Sequence, residues 1–193
     1  METKAENPAG LLHGKEAAPF IRAYFELCHL KQLFRQGWLK RGIPHQHCES
    51  VAEHSFGVAV LALWLSQAYY PQLDQNKVLR MALLHDFGEI YAGDIIPVDA
   101  VGADEKHRRE AGSVAQVFGK LPAGADCLSL WEEFEQGETP EARFVRQIDR
   151  LEMGLQAGVY AAQGLVQPDE FFASARLALE DARLTELMDE LIG

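Results

Sequence analysis

Four polar residues stand where helical periodicity asks for apolar ones. His54 lies on the stripe Val51, Val58, Leu61 and Leu65. His85 and Asp86 close the apolar run Met81 to Leu84, and Asp149 sits beside Ile148, between Val145 and Glu152. Taken singly, each has an ordinary explanation: a hydrogen-bonded histidine, a polar helix end, or an ion pair of Asp149 with Arg146 and Arg150. Taken together they ask for more, because an unpaired buried carboxylate costs on the order of several kcal/mol. A divalent cation would compensate both aspartates and recruit both imidazoles. Such mixed donors suit Mn²⁺, Fe²⁺, Co²⁺, Ni²⁺ or Zn²⁺, and the cofactor expected here is one of these or Mg²⁺. Four protein donors leave open positions on a six-coordinate ion. Adjacent helix residues point about 100° apart. His85 and Asp86 therefore share one ion only if their helix bends or ends there, and Gly88 permits that distortion.

The elements that must carry these residues are helical. Ser50 and Glu53 form a Ser-x-x-Glu capping box that starts a helix running to about Tyr70, before Pro71. Asp74 caps the next helix, with its stripe at Val78, Met81, Ala82 and Leu84. Thr139-Pro140 opens a long helix over 140–162. The spacing also predicts helices over 17–34, 103–120, 125–135 and 168–191, the last broken near Ala182, with a loop from Lys40 to Cys48. No convincing strand alternation appears. The expectation is an all-α chain of roughly six to eight helices, with a loose leader over 1–16 and one domain over 17–193.

Composition narrows the function. The chain has 193 residues, 29 acidic against 18 basic, and a net charge of -11. That balance disfavours polymeric nucleic acid and anionic membrane surfaces as partners, since both need surplus Lys and Arg. No apolar run approaches the roughly 20 residues of a membrane helix, and the N-terminus lacks the apolar core of a signal peptide. Cys28, Cys48 and Cys127 form no Cys-x-x-Cys pair. The expected location is the cytoplasm, with reduced thiols.

Ala52-Glu53-His54-Ser55, Leu84-His85-Asp86 and Gln147-Ile148-Asp149-Arg150 resemble the signature of HD-domain phosphohydrolases. Gly37-Trp38, Glu49-Ser50-Val51, Glu89 with Gly93-Asp94-Ile95, Glu105 to Glu110 and Leu130 to Glu135 narrow the likeness to the 5′-deoxynucleotidases of the YfbR type and their eukaryotic relatives. The resemblance spans about Phe20 to Leu191. It implies an HD-domain helical fold and a divalent cation held by His54, His85, Asp86 and Asp149. Glu89 and Asp94 would serve the reaction or, with the Ile95 carbonyl, hold a second ion. It implies a small nucleotide substrate and a homodimer. Phe20, Phe25 and Leu33 are candidates for apolar surface facing a partner helix.

The implied reaction removes the 5′-phosphate of (deoxy)nucleoside monophosphates. Its rivals are hydrolysis of another nucleotide (a cyclic dinucleotide, a guanosine polyphosphate or a nucleoside triphosphate) and a non-catalytic nucleotide sensor. Trp38 stands where the family contacts the nucleoside. Bacterial members carry Arg immediately before this Trp. Here that position is Gly37, which leaves Arg35, Lys40 or Arg41 to supply the cation. Lys106 to Arg109 reads either as a phosphate clamp or as a solvated face paired with Glu105 and Glu110, and His45 and His47 read as loop residues rather than metal ligands.

Overall fold

The structure, a computed structural model, describes residues 1–192; Gly193, the last residue of the expected domain, lies outside the described residues. Its helices are α1 (Pro19–Leu27), α2 (Gln36–Lys40), α3 (Val51–Tyr69), α4 (Gln75–Leu84), α5 (Glu89–Ala92), α6 (Ala103–Phe118), α7 (Gly124–Gln136), α8 (Pro140–Ala162), α9 (Asp169–Ala178) and α10 (Ala182–Ile192). Eight of them reach nine residues or more. Extended pairing among the described residues is limited to two isolated bridges, Thr3 with Leu33 and Phe34 with Ser50. The chain is all-α, as its periodicity demands.

Side-chain caps set the starts of α3, α4 and α8. Ser50 Oγ accepts from the Glu53 amide at 3.3 Å while the Glu53 carboxylate accepts from the Ser50 amide at 2.6 Å, which satisfies two orphan groups at the head of α3. Asp74 Oδ1 accepts from the amides of Asn76 and Lys77, both at 3.0 Å. Thr139 Oγ1 accepts from the Ala142 amide ahead of α8. Helices α3, α4 and α8 then close on a shared core of Val58, Met81, Val145, Ile148 and Leu151, with α7, α9 and α10 packed around them. The burial of these apolar side chains is the main stabilising term. No described helix is long and apolar enough to cross a membrane.

Two local expectations change. The helix expected over 17–34 stops at Leu27, turns follow, and Gly37 lies inside the short α2. Leu30 and Leu33 are buried with Val51 and Trp131, whereas Phe34 joins Trp38 and Tyr160 in a different cluster, so one straight helix could not deliver all of them. Leu33 is fully buried by its own chain and offers no partner surface, while Phe20 is exposed. Gly88 also acts differently from expectation. Its φ is an ordinary helical -55°. A Cβ there would sit 2.6 Å from Cβ of Glu110, so the glycine serves the close approach of α6 rather than backbone freedom. The N-terminal residues lie along the body, with the Lys4 amide donating to the Gln32 carbonyl at 2.6 Å and the Glu2 amide to Gln36 Oε1 at 2.9 Å.

Candidate functional site

The bend that adjacent His85 and Asp86 require is present. α4 ends at Leu84 and the chain tightens into a 3-10 turn over His85–Gly88 before α5. Trp131 from α7 pins the turn by donating its indole N–H to the His85 carbonyl at 3.1 Å. α3 presents His54 from one side, and α8 presents Asp149 from another.

These four residues converge. His54 Nε2 lies 3.0 Å from Asp149 Oδ1 and 3.7 Å from Asp86 Oδ2, and His85 Nε2 lies 3.2 Å from the same Asp86 oxygen. Donor atoms of His54, His85 and Asp149 all fall within 4.8 Å of one another. His85 Nδ1 is within 2.8 Å of the Ala82 carbonyl, an arrangement that assigns it the proton and leaves Nε2 as the free donor atom. That Nε2 is buried without a hydrogen-bond partner among the described residues, as is Glu89 Oε2. Unpartnered buried polar atoms are costly. Two imidazoles and two carboxylates aimed at one point are a donor set that a divalent cation fits.

Electrostatics divide the acids into two kinds. Burial opposes the charge on Asp86, but His85 outweighs it and holds the carboxyl below the usual range. Burial likewise opposes the charge on Asp149, and the hydrogen bond from His54 holds that carboxyl low. Glu89 goes the other way: burial first, then Asp86 and Asp94, push it well above the normal glutamate value. Asp94 is raised by burial against the pull of Arg35. His54 is opposed by burial and by Arg35, yet its hydrogen bonds to Asp149 and Glu152 push it up to about 10. Without a cation, the negative surroundings retain protons on His54 and Glu89.

Two cavities meet here. One, of about 200 Å³, is walled by Trp38, Met153, Phe171 and Ile95, with Arg35 at its polar end. The other, of about 910 Å³, is polar and opens between α6, α7 and α8. Both are lined by Asp86, Glu89, Lys106, Asp149 and Arg150, so the converging acids sit at the junction.

A family model of the HD domain matches residues 27–191. The chain belongs to the HD-domain family. The 5′-deoxynucleotidase HDDC2 of Bos taurus is 34% identical over 191 residues, which cover 96% of this chain and 90% of that protein. A crystal structure from Pyrococcus horikoshii superposes with a TM-score of 0.74 at 33% identity, covering 89% of this chain and 97% of that one. A protein of Magnetospirillum magnetotacticum, described as a predicted metal-dependent phosphohydrolase, gives 0.64 at 30% identity and covers 90% and 94%.

Within this HD domain the structure sorts the remaining candidates. Arg35, half-buried, places Nη1 at 4.0 Å from both Asp86 Oδ2 and Asp94 Oδ1. Arg41 lies at the surface against Glu170, with Nε 3.0 Å from Oε2, and does not line the smaller cavity. Lys40 is also exposed. Asp94 accepts from the Gln36 amide at 2.5 Å, so α2 and the Asp94 loop are tied together beside the site. Trp38 is both core and wall; its indole N–H donates to Glu49 Oε1 at 2.7 Å and its ring lies against Phe171 at 4.3 Å.

The basic cluster on α6 splits. Lys106 faces the junction, His107 stacks on Trp131, and Arg108 and Arg109 pair with Glu105 in solvent. His45 meets Glu2 at 2.7 Å and does not approach the HD centre. Glu152 was absent from the sequence candidates, although it contacts His54 Nδ1 at 2.5 Å. Its signal was its spacing, one helical turn beyond Asp149.

Proposed function

We propose that this HD-domain protein is a metal-dependent phosphomonoesterase that cleaves the 5′-phosphate from (deoxy)nucleoside monophosphates, yielding nucleoside and inorganic phosphate. The observation that carries this reading is the convergence of His54, His85, Asp86 and Asp149 where an aromatic-walled cavity meets a polar one. The 5′-deoxynucleotidase relatives supply the substrate class.

His54 Nε2, His85 Nε2, Asp86 and Asp149 would hold the divalent cation, drawn from Mn²⁺, Co²⁺, Fe²⁺, Ni²⁺, Zn²⁺ or Mg²⁺; Glu89, Asp94 and the Ile95 carbonyl are the set for a second ion. A bound cation would supply Lewis acidity and acidify a bound water. Arg35 and Lys106 offset phosphate charge in a site otherwise crowded with carboxylates. Glu89, whose buried Oε2 has no hydrogen-bond partner among the described residues and which lines the cavity with Asp86 and Asp94, is placed to orient the attacking water or to shuttle a proton. Asp94, tied to the Gln36 amide and facing Arg35, fixes the guanidinium toward the phosphate. Trp38, Phe171 and Met153 receive the nucleoside and exclude water. Trp38, held by its hydrogen bond to Glu49, is the residue that would disfavour an added 2′-hydroxyl.

Residues 17–193 act as one domain on this reading, and the cytoplasm suits its three free cysteines. A homodimer is part of the proposal; Phe56 and Trp64, 68% and 64% exposed on α3, are apolar surface available for it. The deciding experiment measures phosphate release from paired deoxy- and ribonucleoside 5′-monophosphates. The protein is stripped and resupplied with Mn²⁺, Co²⁺ or Mg²⁺, with Asp86→Ala alongside. Metal-dependent release favouring the deoxy substrates and lost in the variant is expected. No release from any monophosphate would overturn the reading and leave other nucleotides or a sensor role.

A further inference from the structure

Glu152 has no part in the reaction as described, yet it is one of the least expected side chains in the core. It is a glutamate only 7% exposed, and it sits one helical turn from Asp149 on α8. The two acids grip opposite nitrogens of the same ring. Asp149 Oδ1 lies 3.0 Å from His54 Nε2, and Glu152 Oε2 lies 2.5 Å from His54 Nδ1. α8 therefore fixes both the tilt of the imidazole and its tautomer, because a proton on Nδ1 facing Glu152 leaves the Nε2 lone pair for the cation.

The facing helix is shaped to admit this carboxylate. Gly57 follows His54 by three residues in the interior of α3, where alanine is the stronger helix former. A Cβ at Gly57 would stand 2.6 Å from Glu152 Oε1. The local helix cost of the glycine is offset by the space it gives the acid. His85 has a different solution to the same problem, turning its Nδ1 to the Ala82 carbonyl. Glu152 also joins the centre to the cavity wall. Glu49 offers an oxygen within 4.8 Å of the donor atoms of His54 and Glu152, and it accepts from the Trp38 indole at 2.7 Å.

We propose that Glu152, seated by Gly57, is a positioning residue that orients His54 for the divalent cation and acts through it rather than on substrate. The inference rests on the divalent-cation reading of the HD centre. It goes beyond that reading by assigning a residue that touches neither metal nor substrate.

The test is a Co²⁺ titration of the stripped protein, followed by visible absorption and calorimetry, with thermal unfolding of each metal-free variant as the fold control. Glu152→Ala is expected to weaken Co²⁺ binding about 10- to 100-fold with the metal-free fold retained. Glu152→Gln, whose amide oxygen still accepts from Nδ1–H, is expected to recover most of that loss. Gly57→Ala keeps the acid but displaces it, and should weaken binding in the same direction. Adding Gly57→Ala to Glu152→Ala should cost nothing further, since the displaced group is already gone. Wild-type affinity in Glu152→Ala, a loss that tracks unfolding, or additive effects in the double variant would each overturn the proposal. Wild-type protein that binds Co²⁺ but releases no phosphate would sink the nucleotidase reading and leave the role of Glu152 standing. Wild-type protein that binds no divalent cation would remove both.

Discussion

Two regions of this molecule hold two histidines each, together with other metal-capable side chains. In the segment His45-Gln46-His47-Cys48 the donors are nearly consecutive, yet among the described residues they form no group with ligand atoms within 4.8 Å of one another. His45 is exposed against Glu2, His47 is exposed, and Cys48 is buried with Sγ near the carbonyls of Arg35 and Glu49. In the HD centre the donors come from α3, the His85–Gly88 turn and α8, with His54 and Asp149 separated by 95 positions. There the side chains converge. Each ring has its Nδ1 beside an acceptor, and each Nε2 faces the same aspartates. Proximity along the chain is therefore a poor guide to a metal centre. Rigid elements that fix direction, and partners that fix the tautomer, make the difference.

The contrast is most severely tested at Asp149. Asp149→Ala should reduce phosphate release by at least about 1,000-fold, on the order of 4 kcal/mol in the barrier, and lower metal content measured by elemental analysis. A variant retaining a tenth of the rate would place the chemistry elsewhere. A smaller effect is expected at Arg35, whose guanidinium faces Asp86 and Asp94. Arg35→Ala should lower kcat/KM about 10- to 100-fold, while Arg41→Ala, at the surface pair with Glu170, should leave it within about twofold. Equal losses in the two would undo the assignment of the cation.

Glu110 sharpens the comparison from the stability side, because it is a buried acid on the wall of the larger cavity. Burial pushes its carboxyl up from 4.5 to about 7, against the pull of Lys106. The native state thus retains a proton that the unfolded chain releases. Wild-type stability gained at low pH is lost progressively as pH rises from about 4.5 through about 7. In the metal-free protein, Glu110→Gln should be about 1 kcal/mol more stable than wild type at pH 8, the full shift being discounted for the lost Lys106 partner, and equal to it near pH 4. Urea midpoints at the two pH values measure this, and a pH-independent difference would refute it. The smallest change belongs to the loop: His45→Ala and His47→Ala should each leave Mn²⁺ affinity and rate within about twofold of wild type. A tenfold fall in affinity in either would erase the distinction between the two regions.

Much of this could be read along the chain. The span Pro140–Ala162 follows from Thr139-Pro140 and an unbroken apolar stripe, and Ser50 with Glu53 marks the head of α3. His54, His85, Asp86 and Asp149 drew notice because each interrupts an apolar pattern, which is a local signal. The break after Leu27 was hidden because Leu30, Leu33 and Phe34 keep helical spacing while facing two separate clusters. Arg35 could not be separated from Lys40 and Arg41 without the orientation of α2. Lys106 could not be separated from Arg108 and Arg109 without the placement of α6 against the turn at Gly88.

By itself the sequence determined the helical class, most helix limits, the family likeness and the identity of the polar intruders, because capping, periodicity and residue chemistry act within a few positions of one another. The tertiary structure alone decided that Glu152 lies against His54, that Gly57 admits it, and which cation faces the acids. Those contacts join helices far apart in the chain, and their directions are set by how the cores pack rather than by any local pattern.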